Sequence, residues 1–412
     1  MKRLAAEVLA EMLSGYGVTH VFMVPAVVRR TFVEMERRTK IHRIHCHGEK
    51  AAAYMADGYA RASGKPGICM AQVIGALNLA AGLRDAWLAR SPIVAITGGR
   101  DPKTKFRGVY QEVDDMPAFE PVTKYNATVD DAARIPDMLR HAFRVAVSGS
   151  PGPVHLQFRG NEGQLDAEEA EMDGLVETQF ATVPPWRPAA DEKDLKALLE
   201  QLESAARPVI VAGGGVRASR AAAELLSFAD ALHIPVATSL NGKDSIPGTH
   251  PLSAGVVGTY SREAANRIVA RADFVLFVGT STGGMTTHFW AVPKIGVPAA
   301  QIDIDPEALG RNYPLKVAIL ADARRALARL AKLAQERTRR ERSQWMAEIG
   351  DIRKAYYGKH KPQLESNAVP IHPGRICSEL SKNAAFRQVI GVIRSQHPCE
   401  GVSDGTRRLQ DL

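Results

Sequence analysis

The fold of this chain is decided by a stretch of small residues behind one acid, Gly48-Glu49-Lys50-Ala51-Ala52-Ala53-Tyr54-Met55-Ala56-Asp57-Gly58-Tyr59-Ala60-Arg61. The residues before it, Ile41–His47, alternate in the manner of a strand, and Ala51–Arg61 has the composition of a helix that packs closely on a flat surface. Glu49 therefore stands at a strand-to-helix junction. A lone acid at this position is either a charge that stabilises the helix N-terminus or a catalytic carboxyl group in an apolar pocket.

Strands and helices alternate on both sides of this stretch. Strands are predicted at Thr19–Val24, Ile68–Val73, Ile93–Thr97 and Pro153–Phe158, and helices at Met1–Leu13, Val28–Arg38 and Leu77–Leu88. Such alternation predicts a parallel sheet flanked by helices. A second run of the same kind extends from Arg207–Gly215 to Asp303–Pro306 and predicts a Rossmann-like sheet. The fold class is therefore α/β, with two parallel-sheet three-layer domains.

The domain boundaries follow from shifts in composition. We expect a first domain at residues 1–180, a central domain at 190–335, a basic helix and linker at 336–368, and a last segment at 369–412. An acidic, proline-containing linker, Asn161–Asp191, is expected to be extended between the first two domains.

Composition restricts the kind of protein. Of the 412 residues, 45% are apolar and 24% are charged, as in an ordinary globular protein. No apolar run is long enough to span a membrane, and the four cysteines show no metal or disulfide spacing, so a cytoplasmic protein is expected. The net charge of +8 comes from residues 311–361, which contain fourteen Lys or Arg and five Asp or Glu. Without interleaved aromatic residues, this pattern predicts a solvated helix face rather than a nucleic-acid site.

The stretch around Glu49 resembles the pyrimidine-binding segment of thiamine diphosphate (ThDP) enzymes of the acetolactate synthase and benzoylformate decarboxylase group. The resemblance continues through Gly64–Gly67, Pro92–Gly98, Gln111–Asp114 and Ile302–Pro306. It implies that Glu49 bonds to the pyrimidine nitrogen of ThDP and that four further residues lie near the cofactor, namely Pro25, Gly75, Asn78 and Gln111. A carboxyl group in an apolar pocket can share a proton with a weakly basic ring nitrogen, and the activated cofactor then attacks a 2-keto acid.

The chain departs from the family pattern at several positions. Ala26 stands where many relatives have glycine, and Val73–Asn78 replaces a Gly-Pro-Gly-x-x-Asn loop near the pyrimidine. Tyr110 replaces the usual phenylalanine before Gln111, and Lys124 occupies a comparably placed basic position.

The last part of the chain matches the family only briefly. Val369–Leu380 resembles the opening of the diphosphate-binding domain, but the Gly-Asp-Gly motif with a later Asn, which holds Mg²⁺ in the family, is absent. Asp404-Gly405 is a superficial echo of that motif. The sequence therefore predicts a truncated third domain, a missing Mg²⁺ site and little activity for this chain alone.

Two other ligand classes are disfavoured. His42, His45, Cys46 and His47 alternate along a strand, which sends neighbours to opposite faces, so no shared metal is expected. Gly213–Gly215 could cradle a dinucleotide pyrophosphate, but the next strand ends at Ser239–Asn241 without an acid for the ribose. Thr280–Gly284 stands where acetolactate synthases have an FAD-binding stretch, which argues against FAD.

Three functions remain open. The first is a ThDP-dependent decarboxylase or carboligase that acts on a 2-keto acid as a homodimer or tetramer, without nucleic-acid or membrane partners. The second is a catalytically dead truncated paralogue that retains only the fold and its oligomerisation. The third is a nucleotide-binding regulatory protein, which explains residues 207–305 but not the string around Glu49.

Overall fold

A computed structural model describes residues 2–337 and 340–382, so Asp404-Gly405 lies outside the described residues. The chain divides into two compact units, Met1–Trp186 and Arg187–Leu412. Each unit contains a six-stranded sheet with all of its strands parallel. The predicted α/β class with two parallel-sheet domains is therefore confirmed.

Among the described residues, no helix combines the length and the apolar character needed to cross a bilayer.

Among its described residues, the N-terminal unit contains eight strands and six α-helices. The strands are β1 (Lys2–Leu4), β2 (His20–Met23), β3 (His42–His45), β4 (Gly67–Ala71), β5 (Ile93–Gly98), β6 (Tyr125–Val129), β7 (Pro153–Phe158) and β8 (Glu169–Glu171). The helices are α1 (Ala5–Gly15), α2 (Arg29–Arg38), α3 (Glu49–Ser63), α4 (Val73–Ala89), α5 (Met116–Phe119) and α6 (Ile135–Val147). The sheet has the order β3-β2-β4-β5-β7-β6. Its central strands β4, β5 and β7 are buried along their whole length, as parallel strands covered on both faces must be.

Helix α4 begins earlier than the sequence predicts. The family pattern places a loop at Val73–Asn78, but these residues form the first turns of α4. Ile74, which stands where the family motif has proline, is the second residue of α4, and the N–H groups of the first turn need no acceptor within the helix, so either residue is compatible with a helix that begins at Val73. Gly75 is therefore a helical residue here rather than a loop residue.

The two ends of the N-terminal unit are tied together. Strand β1 pairs antiparallel with β8, although the sequence predicts a helix from Met1 and an extended linker over Asn161–Asp191. Leu165 and Phe180, both within that linker, are buried. Much of the acidic segment is thus part of the N-terminal unit, because its scattered apolar residues find a place on the core.

The central unit contains six strands and seven helices among the described residues. The strands are β9 (Pro208–Ala212), β10 (Val236–Thr238), β11 (Ser253–Val256), β12 (Phe274–Val278), β13 (Ala299–Asp303) and β14 (Leu315–Leu320). The helices are α7 (Glu192–Ser204), α8 (Gly214–Ala218), α9 (Ala222–Leu232), α10 (Glu263–Ala270), α11 (Ala323–Gln335), α12 (Ser343–Leu364) and α13 (Pro373–Lys382). The sheet order β11-β10-β9-β12-β13-β14 is that of a dinucleotide-binding fold. Two apolar clusters, one on each face, make it a three-layer unit.

Several basic side chains of residues 311–361 pair with acids of the central unit. In α11, Arg324 and Arg329 form ion pairs with acids of α9 and α7. Helix α12 packs Trp345, Ile349 and other buried residues on the central core, so this segment is more than a linker. Arg342, just before α12, is 5% exposed and is the exception to the solvated face that the sequence predicts.

Candidate functional site

The candidate site lies at the carboxyl ends of the strands of the N-terminal sheet. The chain passes from β2 to β3 on one side, and α3 then carries it back across β2 to β4. Strand order therefore reverses at the carboxyl ends of β2 and β4. In open α/β sheets, ligands bind in the crevice that this reversal creates.

Glu49 is the first residue of α3 and its side chain reaches the first turn of α4. As the first helical residue, Glu49 lies at the positive end of the helix dipole. The preceding residue, Gly48, is extended and provides no side-chain cap. A β-carbon added at Gly75 would stand 2.5 Å from Glu49 Cδ and 2.6 Å from Cγ. Asn78 Nδ2 donates a hydrogen bond to Glu49 Oε2 at 3.3 Å. Glu49 is half-buried and Asn78 is exposed, so this pair lies at the protein surface, where the strand reversal predicts a cleft.

Small residues bring α3 and α4 close enough for this contact. Ala52, Ala53 and Ala56 of α3 are fully buried. A β-carbon at Gly82 of α4 would stand 2.6 Å from the Ala53 β-carbon and 2.8 Å from the Lys50 carbonyl oxygen. The alanine-rich stretch is therefore a helix that packs tightly, as its composition predicts, and it packs on a helix as well as on the sheet.

The other predicted site residues lie at the same edge of the sheet. Gln111 belongs to the segment after β5, and its Oε1 accepts a hydrogen bond of 2.8 Å from Gln72 Nε2, at the start of α4. Pro25 follows β2 and is exposed. Its neighbour Ala26 has a φ of +82°, which explains why glycine suits this position. Glu49, Gly75 and Asn78 are thus in contact, whereas no contact described for Pro25 joins it to Glu49.

The sequence analysis missed the turn that holds this edge together. Three backbone N–H groups, those of Val28, Val73 and Gly99, donate to the carbonyls of Glu162, Asn161 and Gly160. The turns after β2, β4 and β5 are therefore anchored on one short loop after β7. Its signal in the sequence is the pair Gly160 and Gly163, both of which have positive φ.

The segment that contains Gln111 is followed by a buried acid, Asp115. Asp115 is 1% exposed, and its Oδ1 accepts a hydrogen bond of 2.5 Å from Gln157 Nε2. Its Oδ2 is buried without a hydrogen-bond partner. Burial, which disfavours the charged form, raises the pKa of Asp115 to about 6. Next to it, Asp114 pairs with Arg100 at 2.7 Å.

Lys124 and the histidine-rich strand have structural roles. Lys124 Nζ donates to the carbonyls of Val145 and Ser148 at 2.7 Å each, so it caps the C-terminal end of α6. His20 and His42 stack at 5.2 Å on adjacent strands. Within the described residues, no group of three His, Cys, Asp or Glu side chains is arranged to hold a metal ion.

The glycine turn of the central unit is filled by protein. A β-carbon at Gly213 would stand 2.5 Å from the Thr280 β-carbon, and one at Gly215 would stand 2.7 Å from the Gly279 Cα. The first and third glycines therefore let two loops pack on each other. Gly214 faces Asn241, with a β-carbon distance of 3.3 Å. Contacts within the protein therefore account for the first and third glycines of this turn.

Fold and site together define a class of α/β protein with two successive parallel-sheet domains. The first presents a carboxylate at the carboxyl ends of its strands, and the second, which follows it in the sequence, is Rossmann-like. Residues 3–118 match the family model for the N-terminal TPP binding domain of thiamine pyrophosphate enzymes, and residues 195–330 match the model for their central domain. The chain belongs to the thiamine pyrophosphate enzymes.

Curated relatives agree with this family. A probable acetolactate synthase large subunit of Methanocaldococcus jannaschii is 32% identical over 384 residues, which cover 91% of this chain and 63% of that protein. A glyoxylate carboligase of Escherichia coli O157:H7 is 31% identical over 391 residues, with 92% and 64% covered. The acetolactate synthase large subunit of Lactococcus lactis is 29% identical over 337 residues, with 81% and 58% covered. The chain thus spans about three fifths of the length of these relatives.

Proposed function

We propose that this chain provides the pyrimidine-binding part of a ThDP site in an enzyme that decarboxylates or ligates 2-keto acids, in the manner of an acetolactate synthase. The observation that carries the proposal is the contact between Glu49 and Gly75 in the crevice of the N-terminal sheet. The names of the relatives, acetolactate synthase and glyoxylate carboligase, support a reaction between small 2-keto acids.

The residues present fit one end of the cofactor. Gly75 leaves room for the Glu49 side chain over the first turn of α4, and Asn78 holds one carboxylate oxygen. The other oxygen, Oε1, can hold a proton against a ring nitrogen. When bound, ThDP supplies an electron sink for the carbon atom whose bond to the carboxylate breaks. The chain's own contribution is to orient the pyrimidine and to hold that proton.

Exclusion of water from this cleft requires a cover, and we propose that a second copy of the chain provides it. Exposed apolar side chains follow the outer surface of α3 and α4, which we call the α3–α4 face: Tyr54, Met55, Ile74, Leu77 and Leu88. Ile74 and Leu77 flank Gly75 in the sequence, so the α3–α4 face includes neighbours of the residue that contacts Glu49. Desolvation of such a face favours association.

Saturation-transfer NMR with ThDP tests the proposed cofactor role. Saturation of the protein should reach the pyrimidine protons of ThDP more strongly than the thiazolium protons, because Glu49 recognises the pyrimidine. Glu49→Ala should abolish this preference, whereas Glu200→Ala, which removes an exposed carboxylate on α7, should retain it. Equal transfer to both rings, or a signal that survives Glu49→Ala, would contradict the proposal.

Sedimentation velocity tests the proposed self-association. The parent chain should sediment as a dimer or tetramer, and Leu77→Glu should shift it toward the monomer. Leu175→Glu introduces the same charge at an apolar side chain that is 68% exposed and distant in sequence from the α3–α4 face, and it should leave assembly unchanged. If the parent chain sediments as a monomer at a concentration of tens of micromolar, the proposed self-association is refuted.

A further inference from the structure

Gln72 has an unusual position for a glutamine. It precedes α4 as the N-cap residue, with φ −65° and ψ 163°, but its side chain makes no capping hydrogen bond. Short side chains such as Ser, Thr, Asp and Asn satisfy this position best. The Gln72 side chain instead extends to Gln111, 39 residues along the chain, where Nε2 donates to Oε1 at 2.8 Å. The length of the side chain is what this contact requires.

Gln111 needs such a partner because its backbone is strained. Its φ of +62° lies in the left-handed region, which costs an L-residue roughly 1–2 kcal/mol. The side chains of Phe106 and Tyr110 in the same segment are largely exposed, so packing contributes little there. Strained residues persist where the surroundings hold them, and they concentrate at functional sites. The hydrogen bond to Gln72 is one such restraint.

The direction of this hydrogen bond determines which end of the Gln111 amide can face a ligand. Its Oε1 already accepts a hydrogen bond from the Gln72 amide, so the Gln111 NH₂ group is the end of the amide better placed to meet a ligand. The Gly75 N–H donates to the Gln72 carbonyl at 3.0 Å, so Gln72 and Gly75 form one turn. Glu49 contacts that turn at Gly75, and Gln111 contacts it at Gln72. The Glu49 carboxyl group and the Gln111 amide therefore both contact the turn that begins α4.

We propose that Gln72 is a positioning residue that makes Gln111 a hydrogen-bond donor toward the carboxylate of a 2-keto acid. This inference rests on the proposed function of the Glu49 cleft. A carboxylate accepts hydrogen bonds only, so it is recognised by the amide NH₂ and rejected by the amide oxygen. Gln72 acts through Gln111 and needs no contact with the ligand.

Side-chain amide exchange measures the direction of the bond. In a chain labelled with ¹⁵N-glutamine, the Gln72 and Gln111 NH₂ signals are assigned by their loss in Gln72→Glu and Gln111→Glu. The Gln72 protons should exchange with water at least about fivefold more slowly than the Gln111 protons, the factor that about 1 kcal/mol provides. In Gln72→Glu, which only accepts, the Gln111 protons should become the protected ones. Protection of Gln111 in the parent chain would overturn the proposal.

Gln72→Asn is the variant that should remove the contact with Gln111 while the fold keeps its stability. It retains an amide and improves the N-cap, so stability should be kept, but it is too short to reach Gln111. Backbone hydrogen exchange over residues 106–112 should therefore accelerate at an unchanged melting temperature. Unchanged exchange in that segment would show that Gln72 does not hold Gln111, and the proposal would fail.

Added pyruvate separates this proposal from the proposed function. Pyruvate should slow the exchange of the Gln111 NH₂ protons in the parent chain and have no effect on that group in Gln72→Glu. Slowing of equal size in both would overturn the role of Gln72. If ThDP gives no pyrimidine signal in the saturation-transfer experiment, the proposed function fails, whereas the exchange pattern without ligand still reports on Gln72 alone.

Discussion

The side chain of Glu49 lies over the Cα of Gly75, at a distance that leaves no room for a methyl group. A β-carbon there would stand 2.5 Å from Glu49 Cδ, whereas real β-carbon contacts stay beyond 3.0 Å. The contacting atoms belong to a flexible side chain, so they can move. Gly75 therefore determines where the carboxylate of Glu49 lies, through contact with a side chain that can move.

Gly75→Ala should separate stability from the geometry of the site. Alanine within α4 should keep or raise the free energy of unfolding, by up to about 1 kcal/mol, because glycine is a poor helix former. Glu49 should be displaced, and its hydrogen bond from Asn78 should be lost. Urea denaturation measures the first effect, and the side-chain amide signal of Asn78 in a ¹⁵N-asparagine spectrum measures the second.

Gly82→Ala is the control in the same helix. Its β-carbon would meet the Lys50 carbonyl oxygen at 2.8 Å, a backbone atom that cannot rotate away. Overpacking of this kind costs roughly 1–3 kcal/mol. Equal destabilisation by both substitutions would contradict the distinction between a mobile and a fixed neighbour.

Asp115→Asn should change how stability depends on pH. The pKa of Asp115 is raised from 3.8 to about 6 in the folded chain, so burial disfavours its charged form. The resulting penalty is absent below pH 3.8, grows up to about pH 6 and is complete above it. Each pKa unit corresponds to about 1.4 kcal/mol, so the penalty is at most about 3 kcal/mol. The free energy of unfolding of Asp115→Asn, relative to the parent chain, should rise by up to that amount between pH 4 and pH 7.5.

The pH comparison cancels effects that do not depend on protonation. An asparagine amide that lacks an acceptor in place of Asp115 Oδ2 shifts stability equally at every pH. Urea denaturation at several pH values therefore isolates the ionisation of Asp115. A constant difference between the two chains across this range would show that folding does not raise the pKa of Asp115.

Ala26→Gly should stabilise the N-terminal unit. Ala26 has a φ of +82°, a region that glycine occupies without a steric penalty. The relief outweighs the greater flexibility of glycine in the unfolded chain, so we expect a gain of about 0.5–1 kcal/mol. Thermal denaturation measures it. Ala81→Gly, at an exposed position within α4, should instead lower stability by about 1 kcal/mol, and a loss for both variants would refute the strain at Ala26.

Arg342→Met should strongly destabilise the central unit. The Arg342 guanidinium donates to the carbonyls of Leu202, Ala205 and Leu232, at the ends of α7 and α9. Hydrogen bonds from charged donors are stronger than neutral ones, and their loss leaves buried carbonyls unpaired, so we expect a cost of about 3 kcal/mol or more. Urea denaturation provides the measurement.

Arg340 provides the comparison for Arg342. It donates to the carbonyls of Glu203 and Ser204 at the same end of α7, but it is exposed. Water can replace it there, so Arg340→Met should cost less than about 1 kcal/mol. A similar cost for both arginines would show that burial is not what makes Arg342 important.

The sequence by itself determined the alternation of strands and helices, because burial of a parallel sheet on both faces leaves a local pattern of apolar runs. It also placed Glu49 at the junction of β3 and α3, since a strand pattern ends and a helix pattern begins around that residue. The start of α4 was misjudged because the prediction took over the loop of the family motif at Val73–Asn78, whereas these residues form the first turns of the helix.

Only the tertiary structure decided which residues meet at the site. Gln72 and Gln111 are 39 residues apart, and Arg342 bonds to carbonyls 110–140 residues away, so no local pattern records these pairs. Likewise, the burial of Asp115 depends on β7, which supplies Gln157. Periodicity reports which face of an element is covered, whereas the identity of the covering residue depends on how distant segments converge at the carboxyl edge of the sheet.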